Sequence, residues 1–246
     1  MTEVVLTRVN GSQVFIDREA HENRWADAFG PDVVKALLDF VDEPVDSSGD
    51  YEPRWTITRV ETGSGESTFG PTDGHGGIGR ITTDDAENDG VNAQFRAESF
   101  KLTSAAYLYF GVRMKISEAT QSDYFVGLAI TDTDILGGVT DRIGFEKLDG
   151  STSVTALVEK DSTETQVTAV LTQDAAEWHT LEFYFVGPNR RVYFYVDGEE
   201  TTRLASFANI PDDEDLRISV QGLAGSAAAR TFDIDWIRCI EIGRAA

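Results

Sequence analysis

The chain has 246 residues, of which 41% are hydrophobic, so it can bury a substantial core and its composition is not that of a disordered protein. Forty-three acidic residues oppose 21 basic ones, which gives a formal net charge of −22. A surface of this sign repels phosphates and disfavours nucleic acid as a partner. The acidity favours a halophilic or marine source, and an acidic protein from an arginine-favouring bacterial genome is the alternative.

The sequence predicts that the chain stays in the compartment where it is made. Its single cysteine, Cys239, lies in an apolar segment and leaves no intrachain disulfide to form, which fits folding in a reducing cytosol. The first residues lack the basic and long apolar stretches of a signal peptide, and no apolar run is long enough to span a bilayer. We therefore expect synthesis in the cytoplasm without a cleaved leader and no membrane partner.

Residues 1–50 are predicted to form an N-terminal arm. Residues 4–16 read as a strand, and between Pro31 and Pro44 apolar residues recur at spacings of three and four, which predicts a short amphipathic helix. A helix with one apolar face must dock, either on its own domain or on a neighbouring subunit as an assembly arm. The polar stretch 45–50 marks the predicted boundary with a second domain, residues 51–246.

Residues 51–246 read as short strands separated by Gly, Asp, Ser and Thr turns. The predicted strands are 54–60, 77–82, 91–97, 105–116, 124–131, 142–148, 153–159, 166–171, 178–186, 192–196, 217–222 and 232–242. A dozen short strands with little helix predict an all-β, two-sheet antiparallel sandwich. The hairpin signal is strongest where two alternating runs flank Gly-Pro-Asn-Arg at residues 187–190.

The same hairpin carries a resemblance to a known family. Residues 177–198 read EWHTLEFYFVGPNRRVYFYVDG, with Trp-His entering one strand and Tyr-Val-Asp-Gly ending the next. This sequence, together with Asp-Trp-Ile-Arg at residues 235–238, resembles the strands of concanavalin A-like lectin and glucanase sandwiches. The resemblance covers about residues 51–242. The resemblance implies a jelly-roll sandwich, a fold that hosts enzymes, sugar-binding modules and virion proteins.

Glucanases of this family carry Glu-x-Asp-x-x-Glu on one strand, and the spacing recurs here at Glu159, Asp161 and Glu164. The intervening residues are polar, however, and the segment lies between two alternating runs, so it is predicted to form a hairpin turn. Carboxylates at a solvated tip lack the opposed geometry that glycoside hydrolysis needs. We therefore predict no catalytic residues and a protein that is not an enzyme, with a family-16-like glucanase as the least favoured alternative.

Ligand sites are predicted from aromatic and acidic residues. Trp55, Tyr193 and Tyr195 are the candidates for stacking on a sugar, and filling the sandwich interior is the alternative role for large aromatics. Acidic clusters at residues 132–134 and 212–215 offer the oxygen ligands that calcium prefers, although such clusters also arise by chance in an acidic chain. No cofactor and no metal ligand is assigned.

The amino-acid pattern of residues 141–171 is similar to segments of tailed-virus structural proteins that carry this sandwich. That resemblance implies a non-enzymatic virion structural protein, such as a capsid decoration (cement) protein or a minor structural protein. Its expected location is the virion and its partners the major capsid protein or other virion proteins, with a homo-oligomer on the particle. The alternative function is a carbohydrate-binding module that recognises a cell-surface glycan.

Overall fold

The computed structural model describes residues 4–18, 20–21, 23–62, 65–204 and 208–243. Within these residues the chain forms 18 β-strands, one short helix, α1 (Ile135–Gly138), and a 3₁₀ turn (Gly187–Asn189). In chain order the strands are β1 (Val4–Val9), β2 (Ser12–Asp17), β3 (Trp25–Phe29), β4 (Val33–Leu38), β5 (Trp55–Val60), β6 (Thr68–Thr72), β7 (Ile78–Thr82), β8 (Gly90–Phe95), β9 (Tyr107–Ile116), β10 (Ser122–Ala129), β11 (Arg142–Lys147), β12 (Ser153–Lys160), β13 (Thr163–Thr172), β14 (His179–Val186), β15 (Arg191–Val196), β16 (Glu199–Leu204), β17 (Arg217–Ala224) and β18 (Thr231–Ile242). Over the described ranges, no helix has both the length and the apolar character that a membrane span requires.

Two large antiparallel sheets form the body of the molecule. One has seven strands in the order β13-β12-β11-β10-β17-β8-β5, and the other has eight, in the order β16-β15-β14-β9-β18-β7-β6 with β4 also paired to β18. The main apolar core lies between them, where Phe145 of the first sheet meets Phe194 of the second with ring centroids 5.4 Å apart. The predicted all-β, two-sheet antiparallel jelly-roll sandwich is confirmed.

The predicted strands all have counterparts in the structure. The hairpin around residues 187–190 is β14 paired with β15, as its alternating pattern indicates. Within residues 51–246 two strands, β6 and β16, were not predicted, and the segment 4–16 is two strands instead of one. Asn10 and Gly11 form the two-residue turn between them, with φ of 45° and 84°.

The predicted amphipathic helix is wrong. Its first part is β4, which pairs with β18 from Val33↔Ile242 to Leu38↔Ile237. Along β4, Ala36 and Leu38 are buried whereas Lys35 and Leu37 are exposed, which is the period of a strand. The apolar residues also fit a helical stripe, but the free edge of β18 supplies hydrogen bonds and burial that only an extended segment can use.

The N-terminal segment consequently belongs to two different parts of the fold. Strands β1, β2 and β3 form a small third sheet, whereas β4 is a strand of the sandwich itself, on the N-terminal side of the boundary predicted near residue 50. The small sheet covers part of the outer face of the eight-stranded sheet through a second apolar cluster. In that cluster Val14, Trp25 and Ala28 pack with Tyr109 and Tyr184.

Candidate functional site

The outer face of the eight-stranded sheet carries a row of tyrosines. Tyr184 of β14 is paired with Tyr109 of β9 on one side and with Tyr193 of β15 on the other. One level along the strands, Glu182 is paired with Tyr195. Because side chains two positions apart share a face, these groups all lie on the side away from the main core.

Glu182 is the most constrained charged group of this face. Its side chain is fully buried, and Arg24 donates to both of its oxygens from Nε and Nη2, each at 2.5 Å. Tyr109 donates its hydroxyl at 2.7 Å, and Nε2 of His21 lies 3.1 Å away. Burial raises the pKa of Glu182, but the bonds from Arg24 and His21 outweigh it and lower the pKa to about 2. The ionised carboxylate therefore anchors the segment before β3 to the sheet.

A recess of about 420 Å³ opens beside this anchor, a size within the range of small-molecule sites. Its lining combines aromatic rings with an amide and a carboxylate and consists of His21, Asn23, Tyr184, Val186, Tyr193, Tyr195, Gly198 and Glu200. The ring of Tyr195 is stacked on His21 with centroids 4.1 Å apart, and Asn23 Nδ2 donates to its hydroxyl at 2.5 Å. The wall of the recess is therefore fixed by contacts between the N-terminal segment and the sheet.

The structure brings together two of the three residues predicted to bind a sugar. Tyr193 and Tyr195 both line the recess, whereas Trp55 lies in the main core on β5. Trp55 is fully buried, packs edge to face on Phe69 and Phe95, and donates its indole N–H to Glu43 at 3.1 Å. No face of its ring is open for a sugar to stack on.

Other residues of the recess escaped the sequence analysis. The anchor beside the recess, Glu182, is a single acid among alternating aromatics, a pattern typical of an outward-facing position. Its face does point away from the main core, yet Arg24 covers it from 158 positions away along the chain. No periodicity or motif around Arg24 or around Glu182 indicates that the two residues are in contact.

The acids with glucanase spacing lie in a hairpin, as predicted, with Asp161 and Ser162 in the turn at positive φ. Only Asp161 lies at the solvated tip. Glu159 and Glu164 face each other across β12 and β13, and together with Glu146 they bond to the guanidinium of Arg142 at 2.6–3.1 Å. Burial raises the pKa of Glu164, the neighbouring glutamates add to the rise, and Arg142 opposes it.

The acidic clusters considered for calcium are largely satisfied by protein groups. Asp134 accepts bonds from the Gly137 amide at the start of α1 and from Gln221. Asp212 is paired with Lys160 and Arg190. Protein donors therefore already hold Oδ1 of Asp134 and both oxygens of Asp212.

Solved structures of other proteins share this architecture. No protein-family model matches the sequence, and no curated protein matches it either. Among solved structures, an endo-1,3-β-glucanase from Streptomyces sioyaensis is similar with a TM-score of 0.62 at 12% identity, covering 89% of this chain and 100% of the other. The carbohydrate recognition domain of Emp46p in its potassium-bound form has a TM-score of 0.55 at 13% identity, over 82% and 94%. A protein of unknown function from Shewanella oneidensis MR-1 has 0.55 at 19%, over 87% and 90%.

These likenesses correct one prediction. The exclusion of enzymatic activity is wrong, because several solved structures of similar architecture are glycoside hydrolases, among them the endo-glucanase and a lichenase derived from a mouse hindgut metagenome. At 12–19% identity such likenesses show the fold and assign no catalytic residue. They do not bear on a role in a virus particle, which stays a prediction. In its architecture, the chain is a concanavalin A-like jelly-roll β-sandwich.

Proposed function

We propose that the protein binds a neutral glycan in the recess beside Glu182. The observation that carries this proposal is the lining, in which Tyr184, Tyr193 and Tyr195 lie next to the amide of Asn23 and the carboxylate of Glu200. Sugars present apolar ring faces bordered by hydroxyl groups, so they need apolar surface and polar partners together. Carbohydrate-recognising and carbohydrate-cleaving proteins of the same fold support the proposal.

Tyr193 is the expected stacking partner. It is only partly buried, and the guanidinium of Arg203 lies 5.5 Å from its ring centroid. Tyr184 and Tyr195 are 9% and 5% exposed, and their rings are packed against Trp25 and His21. Asn23 and Glu200 border the same space and can bond to sugar hydroxyls. The rigid, bonded wall lowers the entropic cost of binding because few side chains must be ordered by the ligand.

The charge of the protein favours neutral ligands. The chain carries a formal charge of −22, and the acid in the recess, Glu200, is exposed. A sulfated or sialylated glycan would approach against this field, whereas a neutral glucan or galactan would not. Binding should therefore be stronger to neutral glycans than to anionic glycans of equal length, and the difference should shrink in concentrated salt.

A glycan array followed by calorimetry tests the proposal. Tyr193→Ala is expected to weaken binding by about tenfold or more, which corresponds to roughly 1.4 kcal/mol of lost contact. Trp178→Ala is the matched control, because Trp178 is a partly buried aromatic outside the recess, lying beneath Arg113 and Lys115. Unchanged affinity in Tyr193→Ala, or an array without neutral ligands, would contradict the proposal.

Hydrolysis of the bound glycan is a second candidate function, and it can be tested with the same protein and glycans. It is favoured by the Arg142 cluster, in which Glu146, Glu159 and Glu164 surround the Arg142 guanidinium. Glu164, with its raised pKa, lies beside Glu159 and Glu146, and glycoside hydrolases need an acid and an ionised carboxylate close together. New reducing ends that disappear in Glu164→Gln would assign the reaction to this cluster. Glycan that stays intact would leave binding as the function.

The sequence predicts that the protein is part of a virus particle, and we propose that the particle displays the recess. Exposed apolar side chains on the small sheet, Val4, Leu6 and Phe29, support docking of that sheet on a protein partner. Quantitative mass spectrometry of purified particles tests this part of the proposal through the number of copies per particle.

A further inference from the structure

Three carboxylates converge at one end of the sandwich, away from the recess. Glu61 follows β5, Asp89 precedes β8 and Asp84 follows β7. One oxygen from each lies within 4.8 Å of the other two. The convergence follows from the sheet, because β5 and β8 are neighbours and Val60 is paired with Gly90, so the residues just beyond them meet.

In Glu61 and Asp89, one carboxylate oxygen accepts hydrogen bonds from the protein, and the other accepts none from the described residues. The Ser67 amide donates to Oε1 of Glu61, and the amide and hydroxyl of Thr62 donate to Oδ1 of Asp89 at 2.7 and 2.9 Å. Oε2 of Glu61 and Oδ2 of Asp89 are buried without a hydrogen-bond partner in the described part of the chain. Asp89 is 0% exposed, so bulk solvent does not solvate its second oxygen.

Among the residues that the structure describes, protein cations do not neutralise this group. Within the described ranges no lysine, arginine or histidine forms an ion pair with any of the three acids. Arg230 lies near this end but directs its guanidinium to the carbonyl of Gln121 and the hydroxyl of Ser226. By contrast, the buried Glu182 has Arg24 and the buried Asp233 has Arg80. A buried carboxylate such as Asp89 is strongly unfavourable without a counter-charge, and a cation from solution would supply one.

We propose that Glu61, Asp84 and Asp89 form a Ca²⁺ site. The donors are all oxygens, without imidazole or thiolate, which favours a hard cation over zinc. Carboxylates from two segments, the one after β5 and the β7–β8 connection, give an irregular donor set, which Ca²⁺ tolerates and Mg²⁺, with its octahedral demand, does not. The ion joins the segment after β5 to the β7–β8 connection and replaces mutual repulsion by shared coordination.

Calorimetry and thermal melting of the chelator-treated full chain test the site with Ca²⁺ as the only added ligand. One ion per chain should bind, and at about a hundredfold excess over its Kd the melting temperature should rise by about 5–10 °C. Asp89→Asn should remove both binding and the rise. In chelator alone this variant should melt no lower than the wild type, because the amide removes an uncompensated buried charge while keeping an oxygen for Thr62.

The control is Asp213→Asn, which changes an exposed acid that is paired with Lys160 and should leave the calcium response intact. Glu61→Gln provides a second test should Asp89→Asn fail to fold. A wild type that neither binds Ca²⁺ nor gains stability in millimolar Ca²⁺ would overturn the proposal. A calcium response that persists in both Asp89→Asn and Glu61→Gln would also overturn it. An equal response to Mg²⁺ would overturn the choice of ion. None of these outcomes depends on glycan binding.

Discussion

Glu182 illustrates how a charge can be retained in a position with no access to solvent. A carboxylate that loses its water must recover the lost solvation from fixed donors and a counter-charge. Here the fork of Arg24 occupies both oxygens, and Tyr109 and His21 contribute further contacts. The pKa is therefore depressed in spite of burial, and the pair joins the N-terminal segment to the sheet that bears the recess.

Glu182→Gln should lower the free energy of unfolding by about 3 kcal/mol, because it removes the carboxylate that pairs with the mostly buried Arg24. Urea denaturation measures this loss. Glu200→Gln, which removes an exposed acid paired with Arg203, should change stability by less than about 0.5 kcal/mol.

The loss in Glu182→Gln should also depend on pH. A depressed pKa stabilises the fold fully above the unfolded value of 4.5, and the contribution is lost as pH falls through about 2. Wild type and variant should therefore converge in stability across that interval. A difference that stays constant down to pH 2 would show that the carboxylate charge is not what Arg24 requires.

At the scale of single residues, the sequence located the recess only in part. Tyr193 and Tyr195 were predicted because alternation places both on one strand face. Trp55 shares the chemistry of a sugar-binding residue but packs in the core, and local sequence does not distinguish the two environments. His21 and Asn23 reach the recess through long-range contacts with Glu182 and Tyr195, which only the folded chain reveals.

Among the elements, strands with alternating burial were predictable and those defined by their neighbours were not. The Asn10-Gly11 turn is a two-residue hairpin signal, yet the apolar run through it also fits a single strand. Residues of β16 are mostly exposed and lack an apolar face, so nothing in their pattern indicated a strand. The helix prediction for β4 fails because the partner strand that makes it extended, β18, lies far along the chain.

Trp25→Ala should detach the small sheet without unfolding the sandwich. Trp25 is 1% exposed and belongs to the cluster that joins β1–β3 to the eight-stranded sheet. Loss of a buried tryptophan costs about 3–5 kcal/mol, and here that loss falls on one interface. Hydrogen exchange should accelerate in β1–β3 while β9 and β14 stay protected.

Phe110→Ala is the comparison for this variant, because Phe110 is stacked on Phe183 inside the main core, with centroids 5.1 Å apart. That change should weaken protection in both large sheets. If Trp25→Ala instead exposed β9 and β14 as strongly as Phe110→Ala does, the small sheet would be an integral part of the sandwich.

At the scale of the whole molecule, charge repulsion opposes the compact state. A formal charge of −22 on 246 residues means that most exposed acids lie among like charges. Added salt screens this repulsion, since the Debye length falls from about 10 Å at 0.1 M to about 3 Å at 1 M. The halophilic origin predicted from composition requires such a response.

The melting temperature should therefore rise when NaCl increases from millimolar to molar concentration, and KCl should act equally. For a chain of this size each kcal/mol of relief corresponds to roughly 2–4 °C. Calcium present throughout separates this general effect from site binding. A melting temperature that falls or stays level with salt would show that surface repulsion is a minor term in the stability.

The pairing of β18 has a consequence for how the molecule is made. Its two long flanks are occupied by β9 on one side and by β7 and β4, end to end, on the other. All three partners emerge from the ribosome well before β18, so for much of translation their edges stay open and prone to wrong pairing. Closure by so distant a strand makes folding slow, and a nascent chain stalled before β18 should be a ready substrate for chaperones.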